Sequence, residues 1–267
     1  MEIIKAIILG LIQGITEWLP ISSTGHLVLT DYILNLNFSK DFVNTFFVVI
    51  QLGSIMAVVI LFFNKLNPFS LKKNKEEKKN TINLWFKIAI GSIPAAIIGF
   101  LFEEQIDNVL YKPIPIAIAL IIYGIIFIII EKIVKKPKVD SLNEITYKKA
   151  FIIGLFQSLA LIPGTSRSGS TIIGSMLFGT SRYVASEFSF FLAIPVMFGA
   201  SFYKLLKIGF DFTHLEFMVL LTGSVVAFVT SLWVIRFLLE YVKKHDFKIF
   251  GYYRIILGLI IIALLLF

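Results

Sequence analysis

The run IPIAIALIIYGIIFIII, residues 114–130, contains no charge. It approaches the ~20 residues that a helix needs to cross a bilayer. Nothing else in the chain narrows the fold as much, because in lipid every backbone amide must find its partner inside the protein. Other long apolar stretches recur along the chain. Of the 267 residues 57% are hydrophobic and only 16% are charged, where a soluble domain carries roughly 25%. The sequence therefore predicts an all-α polytopic membrane protein forming one integral domain over 1–267.

Lysine-rich loops order the spans. NKLNPFSLKKNKEEKKN (64–80), KIVKKPKVDSLNEITYKK (132–149) and the shorter YVKKHDFK (241–248) punctuate the apolar stretches, and positive loops tend to stay cytoplasmic. Between the first two lies one span out, an acidic turn EEQIDNVL (103–110) and one span back. Continuing the rule places spans near 43–63, 84–102, 114–133, 184–203, 217–239 and 251–267, about six in all. Lys204 and Lys207 then fall on the outer side, a mild violation. The net charge of +8 is read as this topological signal, and no nucleic-acid partner is expected. The apolar start, Met1–Leu19, runs into Glu17 and a polar cluster, not a small-residue cleavage site, so no signal peptide is expected. Cysteine is absent, which removes disulfides, thiolate catalysis and cysteine metal sites.

Two stretches, 3–34 and 150–180, are apolar but broken near the middle by Pro, Gly and hydroxyl residues. The first contains QGITEWLPISSTGH (13–26) and the second QSLALIPGTSRSGS (157–170). A backbone break is costly in lipid unless it lines a protein or water cavity. Each stretch therefore reads as a re-entrant hairpin of two short helices; two kinked spans are the alternative. An offset of 144 positions (13 to 157) pairs Gln13 with Gln157, and likewise Gly10 with Gly154, Leu11 with Leu155, Ser22 with Ser166 and Gly25 with Gly169. Each copy precedes three spans, and an odd number of crossings reverses the second. The expectation is an inverted repeat, 1–135 and 145–267, whose two hairpins meet near the midplane.

The polar residues of these breaks suit an anion. Gln13 and Glu17, four apart, share a helix face. Pro20 ends that helix, and Ser22, Ser23 and Thr24 are good N-caps for a second helix through His26. Its free amides and positive dipole end would point at the break. A carboxylate at membrane depth costs at least ~2.5 kcal/mol and is a functional candidate by default. The serines and threonine serve equally well as caps, and His26 as a structural histidine. In the second break Gly164 and Gly169 let the backbone bend around a ligand lined by Thr165, Ser166 and Ser168. Arg167 offers a planar fork suited to phosphate, or a structural ion pair to Glu17. The segment lacks the GK[ST] ending of a Walker A loop and the G-x-S-x-G of a hydrolase elbow. Together the parts predict a phosphoryl site. Arg167 and the amides hold phosphate, Ser23 or a water attacks, and Glu17 and His26 move protons. A divalent cation would need the substrate's phosphates as ligands, as Mg²⁺ often does. Apolar walls point to a lipid substrate.

QGITEWLPISSTGH and PGTSRSGSTI closely resemble the signature segments of the undecaprenyl-diphosphate phosphatases of the bacitracin-resistance type. FFVVIQLGSIMAVVILF (46–62) and ASEFSFFLAIPVMFGA (185–200) resemble that family's spans. The resemblance implies a bacterial enzyme of the cytoplasmic membrane, its site open to the outer face. It removes the terminal phosphate of undecaprenyl diphosphate, regenerates the lipid carrier of cell-wall synthesis and uses a divalent cation, Mg²⁺ or Ca²⁺. The [E/Q]-x-x-x-E motif falls on Gln13 and Glu17, the S-S-T-G-H segment on Ser22, Ser23, Thr24, Gly25 and His26, and P-G-x-S-R-S-G on Pro163 through Gly169. Because Gln stands at the first motif position, Glu17 alone would carry any carboxylate role, metal ligation included. The candidate catalytic residues are Glu17, Ser23, His26 and Arg167; Gln13, Ser22, Thr24, Gly25, Gly164, Thr165, Ser166, Ser168 and Gly169 are candidate phosphate-binding residues. The partners expected are the polyprenyl diphosphate and membrane lipids, with a homodimer left open. The competing hypothesis is a secondary transporter or flippase of a phosphorylated lipid or anion, with Glu17 coupling protons. In either case the guanidinium should face the acid and the imidazole across one diphosphate-sized gap.

Overall fold

The computed structural model describes residues 1–110, 112–134, 137–209 and 211–266. Lys135 and Lys136 of the second lysine loop, and Phe267 at the end of the last expected span, lie outside the described residues. Among the described residues six helices are long and apolar enough to cross a membrane: α3 (Lys40–Leu61), α5 (Lys75–Leu110), α6 (Pro113–Ile133), α9 (Arg182–Ile208), α10 (His214–Lys244) and α11 (Lys248–Leu266). They coincide with the six expected spans. The shorter helices are α1 (Glu2–Thr16), α2 (Ser23–Leu34), α4 (Phe63–Leu66), α7 (Tyr147–Ser158) and α8 (Arg167–Leu177).

Local chemistry sets the helix ends. Ser39 accepts from Phe42 N–H at the start of α3, and Thr213 and Glu216 form a reciprocal capping box at the start of α10. One expectation is corrected. The acidic segment 103–110 does not turn, and α5 continues through it to Leu110. Glu and Gln are good helix formers. The turn waits for Lys112, whose extended backbone (φ −128, ψ 151) is what the following Pro113 demands.

Each broken stretch doubles back. Lys5 Nζ donates to Asn35 O at 2.7 Å and Asn37 N–H donates to Glu2 Oε2 at 3.0 Å, which fixes the start of α1 beside the end of α2. In the second stretch Lys138 N–H donates to Gly179 O (2.7 Å) and Ser181 N–H to Val139 O (2.9 Å), so the segment leading toward α7 lies beside the exit from α8. Between them runs α3, whose 22 residues span about 33 Å at 1.5 Å per residue. Its far end carries the first lysine loop. Lys65 pairs with Glu187 near the start of α9, and Lys87 Nζ donates to the carbonyls of Leu142 and Asn143 just ahead of α7. The two hairpins thus approach each other from opposite ends of the bundle.

Packing crosses between the two halves of the chain. α1 lies on α10, and α7 lies on α5. A Cβ on Gly10 would sit 2.6 Å from Gly223 O, and one on Gly154 would collide with Gly91 O. Small residues of this kind let membrane helices approach closely enough for dispersion to hold them. Around the hairpin tips the main core gathers Trp18, Phe127, Phe188, Phe190 and Phe191. Ile118, Ile122, Ile125 and Ile129 of α6 stay exposed and form an apolar outer face.

Candidate active site

The two tips are built alike. Ser22 and Ser166 both adopt φ of 73°, a conformation uncommon for a side chain with a Cβ. Each caps the helix that follows, Ser22 Oγ accepting from Gly25 N–H and Ser166 Oγ from Gly169 N–H. Strained non-glycine backbone persists only where its surroundings fix it, and it concentrates at functional sites. Gly164 supplies the one further left-handed turn here (φ 95), closing the second tip between Pro163 and Thr165.

Glu17 is the hub. Its carboxylate is 7% exposed and receives three donors. Gln13 Nε2 and Ser23 Oγ donate to Oε2 at 3.0 and 2.8 Å, and Arg167 Nη2 donates to Oε1 at 3.0 Å. Arg167 also donates from Nη1 to Ser189 O (2.8 Å) and lies over the Trp18 ring at 5.5 Å. Thr171 Oγ1 donates to Ser189 Oγ, bracing that contact. The expected gap between guanidinium and acid is therefore corrected. The two groups touch, because a buried carboxylate flanked by apolar helices takes its strongest donor directly. Among the described residues three buried atoms at this cluster have no partner: Arg167 Nε–H, Trp18 Nε1–H and Gln13 Oε1. The first two are donors suited to an anion's oxygens, the third an acceptor.

His26 stands apart from that pair. Its Nδ1 lies 2.7 Å from Ser22 O and its Nε2 lies 2.7 Å from the Tyr253 hydroxyl. These, and not Glu17 or Arg167, are its hydrogen-bond partners. Thr24 is half-buried in the first turn of α2, and Gly25 packs toward Ile116 and Leu120 of α6. In the second tip Ser168 Oγ lies 3.3 Å from both Glu17 O and Leu19 O and sews the tips together. Thr165 Oγ1 lies 2.9 Å from Leu159 O and 2.8 Å from Ile162 O, so its hydroxyl proton is engaged within its own turn.

Three participants were not singled out in the sequence. Arg254, in the middle of α11, is fully buried and joins both tips. Nη1 donates to Pro20 O (3.1 Å), and Nη2 donates to Gly164 O (2.7 Å) and Thr165 O (2.9 Å). Tyr253 reaches His26, and Ser189 reaches Arg167. An arginine inside the last apolar span was the available signal for the first, since a charge at that depth is a functional candidate. Tyr253 and Ser189 carry no such mark.

Fold and site together define a polytopic membrane protein with a buried polar centre, built on the Glu17–Arg167 ion pair, at the meeting of two helical hairpins. The chain matches the family described as Bacitracin resistance protein BacA over residues 6–260, and it belongs to that family. It is 61% identical over 263 residues to Undecaprenyl-diphosphatase 1 of Clostridioides difficile (strain 630), covering 98% of this chain and 96% of the relative. Undecaprenyl-diphosphatase of Enterococcus faecalis (strain ATCC 700802 / V583) is 60% identical over 268 residues, 98% of this chain and 97% of its own. That of Acetivibrio thermocellus is 55% identical over 264 residues, with 98% and 97% covered.

Proposed function

We propose that this chain is a hydrolase that converts undecaprenyl diphosphate and water to undecaprenyl phosphate and inorganic phosphate, returning the lipid carrier to cell-wall synthesis. The observation that carries this reading is the Glu17–Ser23–Arg167 cluster, in which Arg167 keeps a buried Nε–H without an acceptor. The caps occupy Gly25 and Gly169 N–H, so the preceding amides of α2 and α8 remain to receive phosphate oxygens. Ser23 Oγ is the nucleophile. It bonds to the terminal phosphorus, its proton passes to Glu17, and the bridging P–O bond breaks to release undecaprenyl phosphate. Water then attacks the phosphoserine, His26 takes the water's proton, and Glu17 returns its own to Ser23. Fixed charge and alignment contribute most of the acceleration in such transfers.

The residues fit a divalent cation in a limited way. Glu17 is the one carboxylate at the centre, and Gln13 Oε1 is a free acceptor beside it. Among the described residues no group of three acidic or histidine side chains gathers to hold a metal. Glu17 and Gln13 would hold Mg²⁺ or Ca²⁺ only with phosphate oxygens and water completing the shell, and the cation would offset charge on those oxygens.

The membrane is the bacterial cytoplasmic one, with the lysine loops inside. The α1–α2 hairpin then enters from the outer face and α7–α8 from the inner. That arrangement supports two inverted repeats, 1–135 and 145–267, and a site open outward. Phosphate release from a long-chain prenyl diphosphate by the purified protein in detergent tests the reading. No release with or without Mg²⁺ or Ca²⁺ overturns it. Hairpins approaching from opposite ends also suit a transporter, and lipid movement in vesicles without phosphate release would favour that alternative.

A further inference from the structure

α11 belongs to neither broken stretch, yet two consecutive residues of it face the site. Arg254 holds the tips. Tyr253 addresses the imidazole: its hydroxyl is 2.7 Å from His26 Nε2, and the two rings stack with centroids 5.6 Å apart and planes 5° from parallel. The other nitrogen fixes the proton count. Nδ1 lies 2.7 Å from Ser22 O, and a carbonyl can only accept, so Nδ1 carries the hydrogen. In the neutral ring Nε2 is then a bare acceptor, and the phenol donates to it. The Ser22 carbonyl is set by the backbone of the α2 cap (φ 73°, ψ 95°) and also accepts from His26 N–H at 3.4 Å.

We infer that Tyr253 is a positioning residue of the phosphatase reaction: its hydroxyl, donating to Nε2, holds the His26 imidazole in one tautomer and one orientation, and the phenol gives way when Nε2 takes the proton of the reacting water. Other contacts do not do this. From α6, Ile116 and Leu120 pack against the first turn of α2 without a titratable group. From α11, Arg254 faces the same region but gives its donors to Pro20, Gly164 and Thr165. From α1, Glu17 holds Ser23, Gln13 and Arg167. Tyr253 is 43% exposed. The orientation of a proton-transfer group decides how much of its possible 10²–10⁴-fold contribution is realised.

The inference rests on His26 serving the hydrolysis, and the experiment separates the two. Tyr253→Phe keeps the stacked ring and removes one hydrogen bond. The expected result is a kcat lowered about tenfold with KM within about twofold, a modest part of the general acid–base range. The thermal unfolding temperature should be unchanged, and Tyr252→Phe should behave as wild type. In protein labelled with ¹⁵N-histidine, the His26 Nε2 signal, assigned by its loss in His26→Gln, should move toward that of a ring without a hydrogen-bond donor. Wild-type kcat with an unmoved Nε2 signal would overturn the inference. So would parallel losses in kcat, KM and thermal stability with that signal unmoved, because they mark a packing role. If His26→Gln hydrolyses at the wild-type rate, the assigned role of His26 fails instead, while the nitrogen signal still reports whether Tyr253 holds the ring.

Discussion

Arg167 Nη2 and Glu17 Oε1 lie 3.0 Å apart although 150 positions separate the two residues in the chain. The pair closes the contact between two hairpin tips that approach from opposite ends. It also presets the charge of the site, since the guanidinium reaches the acid with Nη2 and Ser189 O with Nη1 while Nε–H stays without an acceptor.

This geometry needs a planar fork, so Lys cannot replace Arg167. Arg167→Lys and Arg167→Ala should each lower kcat/KM about 10²–10³-fold, the range lost when a preorganised charge-stabilising donor is removed. Thr165→Ala, which removes a hydroxyl engaged by Leu159 and Ile162, should lose far less. Phosphate release from a prenyl diphosphate measures all three, and equal mild losses would make Arg167 structural.

Arg254 is the residue on which both tips depend for their register. Arg254→Met keeps the volume but orphans three carbonyls, at a cost on the order of 3 kcal/mol. The variant should unfold at a markedly lower temperature in detergent and lose phosphatase activity with it. A stable, active Arg254→Met protein would show that Ser168 and the Glu17–Arg167 pair hold the tips without it.

Gln13 is neutral where the family motif also admits Glu. Gln13→Glu puts a second carboxylate beside Glu17, where the proposed cation would gain a second charged ligand. The Mg²⁺ concentration for half-maximal activity should fall several-fold, and activity without added metal should decline through like-charge repulsion. A metal titration of phosphate release reads both, and an unchanged midpoint would place the cation elsewhere or on the substrate alone.

The natural absence of cysteine makes topology directly measurable. With a single thiol at Lys40→Cys, an impermeant reagent should label intact cells. At Lys72→Cys it should label only after the membrane is opened. The reverse pattern would invert the proposed orientation.

Gly154 meets Gly91 where α7 crosses α5. Gly154→Ala should destabilise by about 1–3 kcal/mol, because the added methyl meets backbone rather than a side chain that can turn aside. Thermal unfolding in detergent is the measure, and an unshifted transition would mean the helices can part without loss.

Much of this molecule could be read from its residues in order. The six spans follow from local hydropathy, and the two breaks from Pro20, Pro163, Gly164 and the hydroxyl clusters, all acting over a few neighbouring positions. Glu17 and Arg167 announce themselves because a charge is expensive in an apolar setting. The acidic segment 103–110 misled because its charges suggested a loop, whereas helix propensity and the late Pro113 carried α5 through it.

What residue order could not decide is who touches whom. Arg254 binds Pro20, Gly164 and Thr165 through carbonyl oxygens, and every residue type has a carbonyl, so no pattern of side chains marks those partners. Tyr253 meets His26 because the rotation of α11 about its own axis turns that position toward α2, and a largely apolar helix gives little sign of which face will do so. The sequence by itself determined a membrane bundle with two interrupted helical stretches, because burial and backbone breaks are local properties. The tertiary structure alone decided how the interruptions meet, with Arg167 directly on Glu17, and that α11 supplies residues joining them, because long-range contact depends on how the helices pack.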